Sequence, residues 1–193
     1  MSNIAILLLA AGASSRMKGR DKLMERVHGM PLLNLICRRA AQTGLPCYVT
    51  VPTLDHPRVS ATGTARVVAV PDASEGMSAS IRAGVRALDE NIEAVMILPC
   101  DMPDLEAEDF LSLANRFRGA ASPVLRATAS DGTPGHPVLF PRRCFTALSH
   151  ITGDQGARSV LRNENLELVA LPGQRAVTDL DTPEAWAQWR ARQ

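Results

Sequence analysis

The chain has 193 residues, of which 46% are hydrophobic and 21% charged, so it can bury a sizeable core and is not expected to be disordered. Its formal net charge is +1 and 4% of its residues are aromatic, which argues against the basic, base-stacking surfaces that bind nucleic acid. The length predicts one domain, residues 1–193. We expect a cytoplasmic protein with no membrane partner, because the sequence shows neither a signal-peptide pattern nor an apolar run of about 20 residues.

Apolar runs of strand length alternate along the chain with amphipathic segments of helix length. Strands are predicted at residues 4–9, 47–51, 65–70, 94–98, 122–127, 137–140 and 166–171. Helices are predicted at residues 31–43, 78–88, 106–117, 142–149, 156–163 and 183–192. This alternation indicates an α/β fold with a mostly parallel sheet, whose ligands bind at the carboxyl ends of its strands.

The first strand leads directly into a loop of small residues that is followed by two cations. The segment contains Ala10, Ala11, Gly12, Ala13, Ser14, Ser15, Arg16 and, further on, Lys22. Small side chains let backbone N–H groups approach an anion, and the two cations can hold phosphate charge. The spacing fits neither the dinucleotide fingerprint nor the P-loop. A nucleotide triphosphate site and an ordinary tight turn therefore both remain open.

A second group of small and hydroxyl residues opens the helix predicted at residues 78–88. It comprises Gly76, Met77, Ser78 and Ser80. The hydroxyl groups can hydrogen-bond a base or a ribose, but a serine at this position is also a common helix cap. Both interpretations stay open from the residues alone.

Two acidic segments follow predicted apolar stretches. Asp101 stands between two prolines at the end of the strand at residues 94–98, where a carboxylate is well placed to bind Mg²⁺. Asp181 is a second candidate ligand, and Asp179 a weaker one, since residues two apart on an extended segment share a face. The alternative is helix capping, for which Asp104 is also available near Asp101.

The last candidates lie in the C-terminal half. Gly135 and His136 stand between a polar loop at residues 129–135 and a strand, so His136 can contact a substrate, carry a proton or be structural. Asp154, between Gly153 and Gly156, belongs either to an anion-binding turn or to a helix start. The four cysteines have no metal-binding or redox spacing, so we expect free, largely buried thiols.

Together these segments closely resemble the nucleotidyltransferases of molybdenum cofactor biosynthesis, from residue 4 to about residue 187. The matching segments are residues 9–17 with Lys22, and residues 76–80, 99–103, 135–138, 153–158 and 179–183. The resemblance implies a three-layer α/β/α Rossmann-like fold and Mg²⁺ as cofactor. Ala11 and the Gly-His-Pro-Val segment resemble the cytidylyltransferase branch. That branch implies transfer of CMP from CTP to the phosphate of molybdopterin, giving molybdopterin cytosine dinucleotide and pyrophosphate.

The resemblance also implies roles for the candidate residues. Lys22, Arg16 and Asp101 are the expected catalytic groups: Lys22 at the α-phosphate, Arg16 with the backbone of residues 11–15 at the β- and γ-phosphates, and Asp101 at Mg²⁺, with Asp181 as a second ligand. Ala10, Ala11 and residues 78–80 are expected around cytosine and ribose. Gly135, His136 and Asp154 are expected toward the pterin.

Four other functions remain as alternatives. Two are enzymes of the same superfamily: a guanylyltransferase of the same pathway, and a transferase acting on a sugar or methylerythritol phosphate. A non-catalytic carrier of the finished cofactor would not need Lys22 or Asp101. A nicotinamide-dependent oxidoreductase is disfavoured by the absence of the dinucleotide fingerprint. The implied partners are CTP and molybdopterin, and also the recipient molybdoenzyme or its insertion chaperone.

Overall fold

The computed structural model describes residues 3–153 and 156–192. In it, the apolar runs of the sequence form β-strands. The strands are β1 (Ile4–Leu9), β2 (Arg26–Val27), β3 (Met30–Pro31), β4 (Cys47–Val51), β5 (Arg66–Ala69), β6 (Ala94–Pro99), β7 (Val124–Thr128), β8 (Pro134–Pro141) and β9 (Leu166–Ala170). The α-helices are α1 (Leu32–Gln42), α2 (Met77–Arg86), α3 (Ala107–Ala114), α4 (Phe145–Leu148), α5 (Arg158–Leu161) and α6 (Pro183–Arg190).

Seven strands form one sheet in the order β5-β4-β1-β6-β8-β7-β9, and β2 pairs with β3 in a separate hairpin. Within the sheet β8 runs antiparallel to both of its neighbours, and the other pairs are parallel. The predicted α/β fold with a mostly parallel sheet is therefore confirmed. The carboxyl ends of β1, β4 and β6 lie at one edge of the sheet, which positions the loops that follow them.

Apolar side chains on both faces of the sheet explain why its central strands are hydrophobic throughout. Ile6 and Leu8 of β1 point into one buried cluster, which includes side chains of α1, α3 and α6. Leu7 and Leu9 point into a second cluster on the opposite face, with side chains of α2, α4 and α5. The molecule thus has helices, sheet and helices as three successive layers.

Several element ends differ from the prediction, and α5 is about half its predicted length. Three further differences change the kind of element. Strand β8 begins at Pro134, so it includes the end of the loop predicted at residues 129–135. The helix predicted at residues 142–149 is a 3-10 turn followed by the short α4. The hairpin of β2 and β3 was not predicted, because two-residue strands are too short to show a period; its turn at His28 and Gly29 has positive φ at both positions.

Two further observations, on the cysteines and on helix hydropathy, apply to the described residues. All four cysteines are free thiols, and three of them are buried. Among the helices described, none combines the length and the hydropathy needed to cross a membrane.

Candidate active site

The acidic residues of two distant segments meet at the carboxyl end of β6. The backbone carbonyl of Asp101 accepts a hydrogen bond of 2.9 Å from the N–H of Leu180, which holds the segment at residues 179–181 beside the end of the strand. One carboxylate oxygen from each of Asp101, Asp179 and Asp181 lies within 4.8 Å of the others. Asp101 is buried, while Asp179 is exposed and Asp181 partly so.

Lys22 bridges two of these carboxylates. Its Nζ lies 2.5 Å from Asp101 Oδ2 and 2.5 Å from Asp181 Oδ1. Arg16, in the 3-10 turn Ser15–Met17, donates to the other oxygen of Asp181 at 2.6 Å. The structure therefore brings together four of the predicted residues, although they are separated by up to 165 positions in the sequence.

The pKa shifts follow from this arrangement. Burial lowers the pKa of the Lys22 ammonium, but Asp101 and Asp181 raise it more strongly, so its pKa lies above the ordinary value and the group stays protonated. Burial raises the pKa of Asp181, but Lys22 and Arg16 outweigh this effect and the net pKa is lowered. Partial desolvation within the cluster, with the neighbouring carboxylates of Asp101 and Asp181, raises the pKa of Asp179 although its side chain is exposed. Three carboxylates thus share two cations.

The cluster fits a divalent cation. Asp101 Oδ1 is buried and has no hydrogen-bond partner among the described residues. Mg²⁺ and Mn²⁺ prefer carboxylate oxygens, and the unpartnered oxygen of Asp101 is of this type. A buried polar atom normally has a partner, so an ion at this position would account for it. Asp101, Asp179 and Asp181 are the residues that could hold such an ion.

A buried arginine, Arg58, holds the small-residue loop after β1 in place. Its guanidinium donates to the carbonyl oxygens of Ala10 at 2.6 Å and Gly12 at 2.7 Å. It also forms a bidentate pair with the carboxylate of Asp21 at 2.7 and 2.8 Å, and donates to Ser14 Oγ at 3.1 Å. In a planar trans peptide the N–H points opposite to the C=O, so the N–H groups of Ala11 and Ala13 point away from Arg58.

Arg58 is a functional candidate that the sequence did not reveal. It lies in a 3-10 helix, Pro57–Ala61, 37 residues after Asp21, and only the folded chain brings the two together. No local motif marks it; its burial is visible only in three dimensions. The loop it organises is partly exposed from Gly12 to Arg16, while Ala10 and Ala11 are buried.

The second group of small residues lies next to this loop. Ala11 packs with Ala79 of α2 and Val70 in a small buried cluster. Gly76 precedes α2 with φ 105°, a conformation that favours glycine. Ser78 and Ser80 are both buried, and Ser78 Oγ has no hydrogen-bond partner in the described part of the chain. Neither serine caps the helix, because Gly76 occupies the capping position.

The capping alternatives for the acidic residues are not observed either. Thr182 caps α6, with its Oγ1 accepting from Ala185 N at 3.1 Å. Helix α3 begins after Glu106, and Asp104 instead accepts a 2.8 Å hydrogen bond from the indole of Trp189. Asp101 and Asp181 therefore do not cap a helix, and their carboxylates belong to the charged cluster.

His136 lies on β8 and takes no part in the ion pairs that join Lys22 and Arg16 to the carboxylates. Its ring is partly buried, and Nδ1 has no hydrogen-bond partner among residues 3–153 and 156–192. Burial and the charge of Arg126 lower the pKa of His136, so the ring is neutral at neutral pH. Gly135 is buried beside it, against the backbone of Ala176. Asp154, also predicted to face the substrate, lies outside the described residues.

The sequence of this chain is similar to that of a known protein family. The model of the MobA-like NTP transferase domain family matches residues 6–169. The probable molybdenum cofactor guanylyltransferase of Trichormus variabilis is 28% identical over 95% of this chain and 89% of its own length. The molybdenum cofactor cytidylyltransferase of Escherichia coli is 26% identical over 95% of this chain and 94% of its own length.

Solved structures show the same fold. Rv0371c of Mycobacterium tuberculosis H37Rv superposes with a TM-score of 0.84 at 22% identity, over 97% of both chains. The molybdopterin-guanine dinucleotide biosynthesis protein A of Archaeoglobus fulgidus gives a TM-score of 0.70 at 15% identity, over 98% of this chain and 100% of that one. The nucleotidyltransferase type of α/β fold is therefore confirmed.

Proposed function

We propose, since the chain belongs to the family of MobA-like NTP transferase domains, that it transfers CMP from CTP to the phosphate of molybdopterin and releases pyrophosphate. The observation that carries this proposal is the charged cluster: Lys22 bridges Asp101 and Asp181 next to the loop that Arg58 organises. Positively charged side chains, carboxylates that can bind a metal ion, and backbone N–H groups therefore lie together at the carboxyl ends of the strands.

The reaction needs positioning and charge neutralisation more than proton transfer. An oxygen of the acceptor phosphate forms a bond to the α-phosphorus of the nucleotide, and the bond from that phosphorus to the bridging oxygen of the β-phosphate breaks. Pyrophosphate leaves with the electron pair. Because the attacking phosphate is already anionic at neutral pH, the site needs no strong general base.

Each charged side chain then has a role that follows from its place. Lys22 stabilises the charge that develops on the α-phosphate and the departing pyrophosphate. Arg16, whose side chain is largely exposed, holds the β- and γ-phosphates together with the N–H groups of Ala11 and Ala13. Asp101, Asp179 and Asp181 would hold Mg²⁺, and the bound ion would supply further neutralisation of phosphate charge.

The choice of base rests on Ala11. Ala11 is buried in one small cluster with Ala79 and Val70, so it carries a methyl group where a glycine would leave space. Less space beside the loop favours the smaller pyrimidine of CTP. GTP is the second candidate, because relatives of similar identity carry the name guanylyltransferase as well as cytidylyltransferase.

Pyrophosphate release tests both points. The purified protein is incubated with Mg²⁺, molybdopterin and, separately, CTP, GTP, ATP or UTP. We expect release with CTP, and a shift toward GTP in Ala11→Gly; Ala13→Gly in the exposed part of the same loop is the matched control. Release with GTP alone in the native protein would contradict the role given to Ala11. Folded protein that releases no pyrophosphate with any nucleotide would contradict the proposed activity.

A further inference from the structure

The segment that carries Asp101 forms neither a strand nor a helix. It connects β6 to α3 as residues 100–106, and the prolines that stand two positions before and two positions after Asp101 have no N–H to donate. Within the segment, Leu105 N–H donates to Met102 O at 3.4 Å, which is long for a backbone hydrogen bond. The position of Asp101 therefore depends on contacts from other elements of the fold.

Arg39 of α1 makes three contacts with this segment, and only 13% of its side chain is exposed. Its Nη1 donates to Pro103 O at 2.6 Å and to Leu105 O at 2.8 Å. Its Nη2 pairs with Glu106 Oε1 at 2.6 Å. These contacts begin two residues after Asp101 and extend to the start of α3, so they tie the segment to a helix that is packed in the core.

Two other contacts also hold the segment. Leu180 N–H donates to Asp101 O at 2.9 Å, and the indole of Trp189 in α6 donates to Asp104 Oδ1 at 2.8 Å. The first contact is to Asp101 itself, and the second is to a side chain. Of these three anchors, Arg39 is therefore the one that fixes the backbone between Asp101 and α3.

The orientation of the Asp101 carboxylate matters because its two oxygens have different tasks. Oδ2 pairs with Lys22 Nζ at 2.5 Å, whereas Oδ1 is buried without a hydrogen-bond partner among residues 3–153 and 156–192. A shift of about 1 Å in a group that holds reactants can change a rate by about 10²-fold, so a carboxylate with a separate task for each oxygen needs a fixed backbone. Arg39 contacts the backbone and Glu106, so its effect on the carboxylate is indirect.

We propose that Arg39 is a positioning residue for the divalent cation, because it fixes the backbone that orients the carboxylate of Asp101. The proposal rests on the proposed function, in which Asp101 would hold that ion. Arg39 also lines a polar cavity of about 390 Å³, together with Asp104 and Arg175. Water in this cavity can replace its hydrogen bonds to the two carbonyls, so we expect variants of Arg39 to fold with a less tightly held segment.

Binding of Mn²⁺ tests this role without turnover, since Mn²⁺ takes the same oxygen ligands as Mg²⁺. The EPR signal of free Mn²⁺ gives the Kd for the native protein, Arg39→Ala and Arg38→Ala, all without nucleotide. We expect Arg39→Ala to raise the Kd about 10-fold, the lower end of the effect of losing a group that orients a metal ligand. Arg38→Ala is the matched control, because Arg38 is the exposed neighbour on the same helix, and it should keep the native Kd.

The outcomes separate this role from a structural one and from the proposed function. A role confined to stability would lower the urea midpoint of Arg39→Ala and leave the Kd of the folded protein unchanged, which would overturn the proposal. If Arg39→Ala does not fold, Arg39→Lys decides by the same criterion, because lysine lacks the planar fork that contacts two carbonyls at once.

Native protein that binds no Mn²⁺ would overturn the ion site, and the role of Arg39 with it. If the native protein binds Mn²⁺ but transfers no nucleotide, the proposed function alone fails. A higher Kd in Arg39→Ala would then still support the positioning role, and an equal Kd would contradict it.

Discussion

At the scale of single residues, the ammonium group of Lys22 contacts two carboxylates, and either carboxylate alone could neutralise its charge. Its ammonium lies 2.5 Å from both Asp101 and Asp181, and these contacts keep it charged while it is partly buried. Lys22→Ala removes the charge that stabilises the transition state, and turnover should fall about 10²- to 10³-fold. Steady-state pyrophosphate release measures this effect.

The control is Lys18→Ala, four positions earlier in the same segment. Lys18 is exposed and pairs with Glu184 at 3.3 Å, away from the acidic cluster. We expect it to keep native turnover. Normal turnover in Lys22→Ala would refute the role assigned to the lysine.

Arg58 acts through the loop rather than on the phosphates. Arg58→Ala removes the guanidinium donors from the carboxylate of Asp21 and from the carbonyl of Ala10, and breaking such a buried pair costs about 3 kcal/mol. The urea midpoint should fall, and in protein that remains folded the KM for CTP should rise. Arg66→Ala is the control, because the Arg66–Asp89 pair is exposed and its loss should leave the midpoint nearly unchanged. Equal midpoints for the two variants would contradict the structural role of Arg58.

His136 gives the folded protein a pH dependence with a definite sign. Burial and Arg126 lower its pKa in the folded state below the ordinary value of about 6.5, so the unfolded chain takes up the proton first. Stability from this group is complete above about pH 6.5 and is lost as the pH falls below it. Urea unfolding at pH 7 and pH 5 should show a smaller loss for His136→Gln than for the native protein. The exposed His150→Gln serves as control and should keep the native slope.

At the scale of elements, the start of β8 and the segment before the acidic pair are packed backbone to backbone. His136 N–H donates to Ala176 O at 2.8 Å, and a Cβ added to Gly135 would collide with that same carbonyl group. Gly135→Ala should therefore displace the segment that leads to Asp179 and Asp181. We expect a stability loss of about 1–3 kcal/mol and lower activity.

Gly12→Ala is the matched substitution for stability, because a Cβ there meets nothing within 4 Å and its φ is ordinary. Its urea midpoint should stay close to that of the native protein. If Gly135→Ala unfolds at the same urea concentration as Gly12→Ala, the contact with Ala176 does not position the acidic segment.

The elements themselves were largely predictable from apolar periodicity. Strand β1 is apolar on both faces because two helical layers cover it, and a buried parallel strand has that pattern. The direction of β8 was not predictable, since strand periodicity is the same in parallel and antiparallel pairs. The short α4 and α5 were predicted too long, because helix ends depend on tertiary packing as well as local propensity.

At the scale of the whole molecule, the site is assembled from segments far apart in the chain. Asp101, Asp181, Lys22 and Arg16 were predicted from local motifs, and the structure places them in one cluster. Arg58 was not predicted, because its significance lies in contacts across the fold and no motif in the neighbouring residues marks it.

The position of the labelled phosphorus after turnover shows which bond of the nucleotide is broken. The protein is incubated with Mg²⁺, molybdopterin and CTP labelled at either the α- or the γ-phosphate. We expect the α-label to enter the pterin product in equal amount to pyrophosphate, which carries all of the γ-label, and Lys22→Ala to slow both equally. Transfer of the γ-label to the acceptor, or release of labelled inorganic phosphate without transfer, would show that a different bond is broken and would contradict the transfer of CMP.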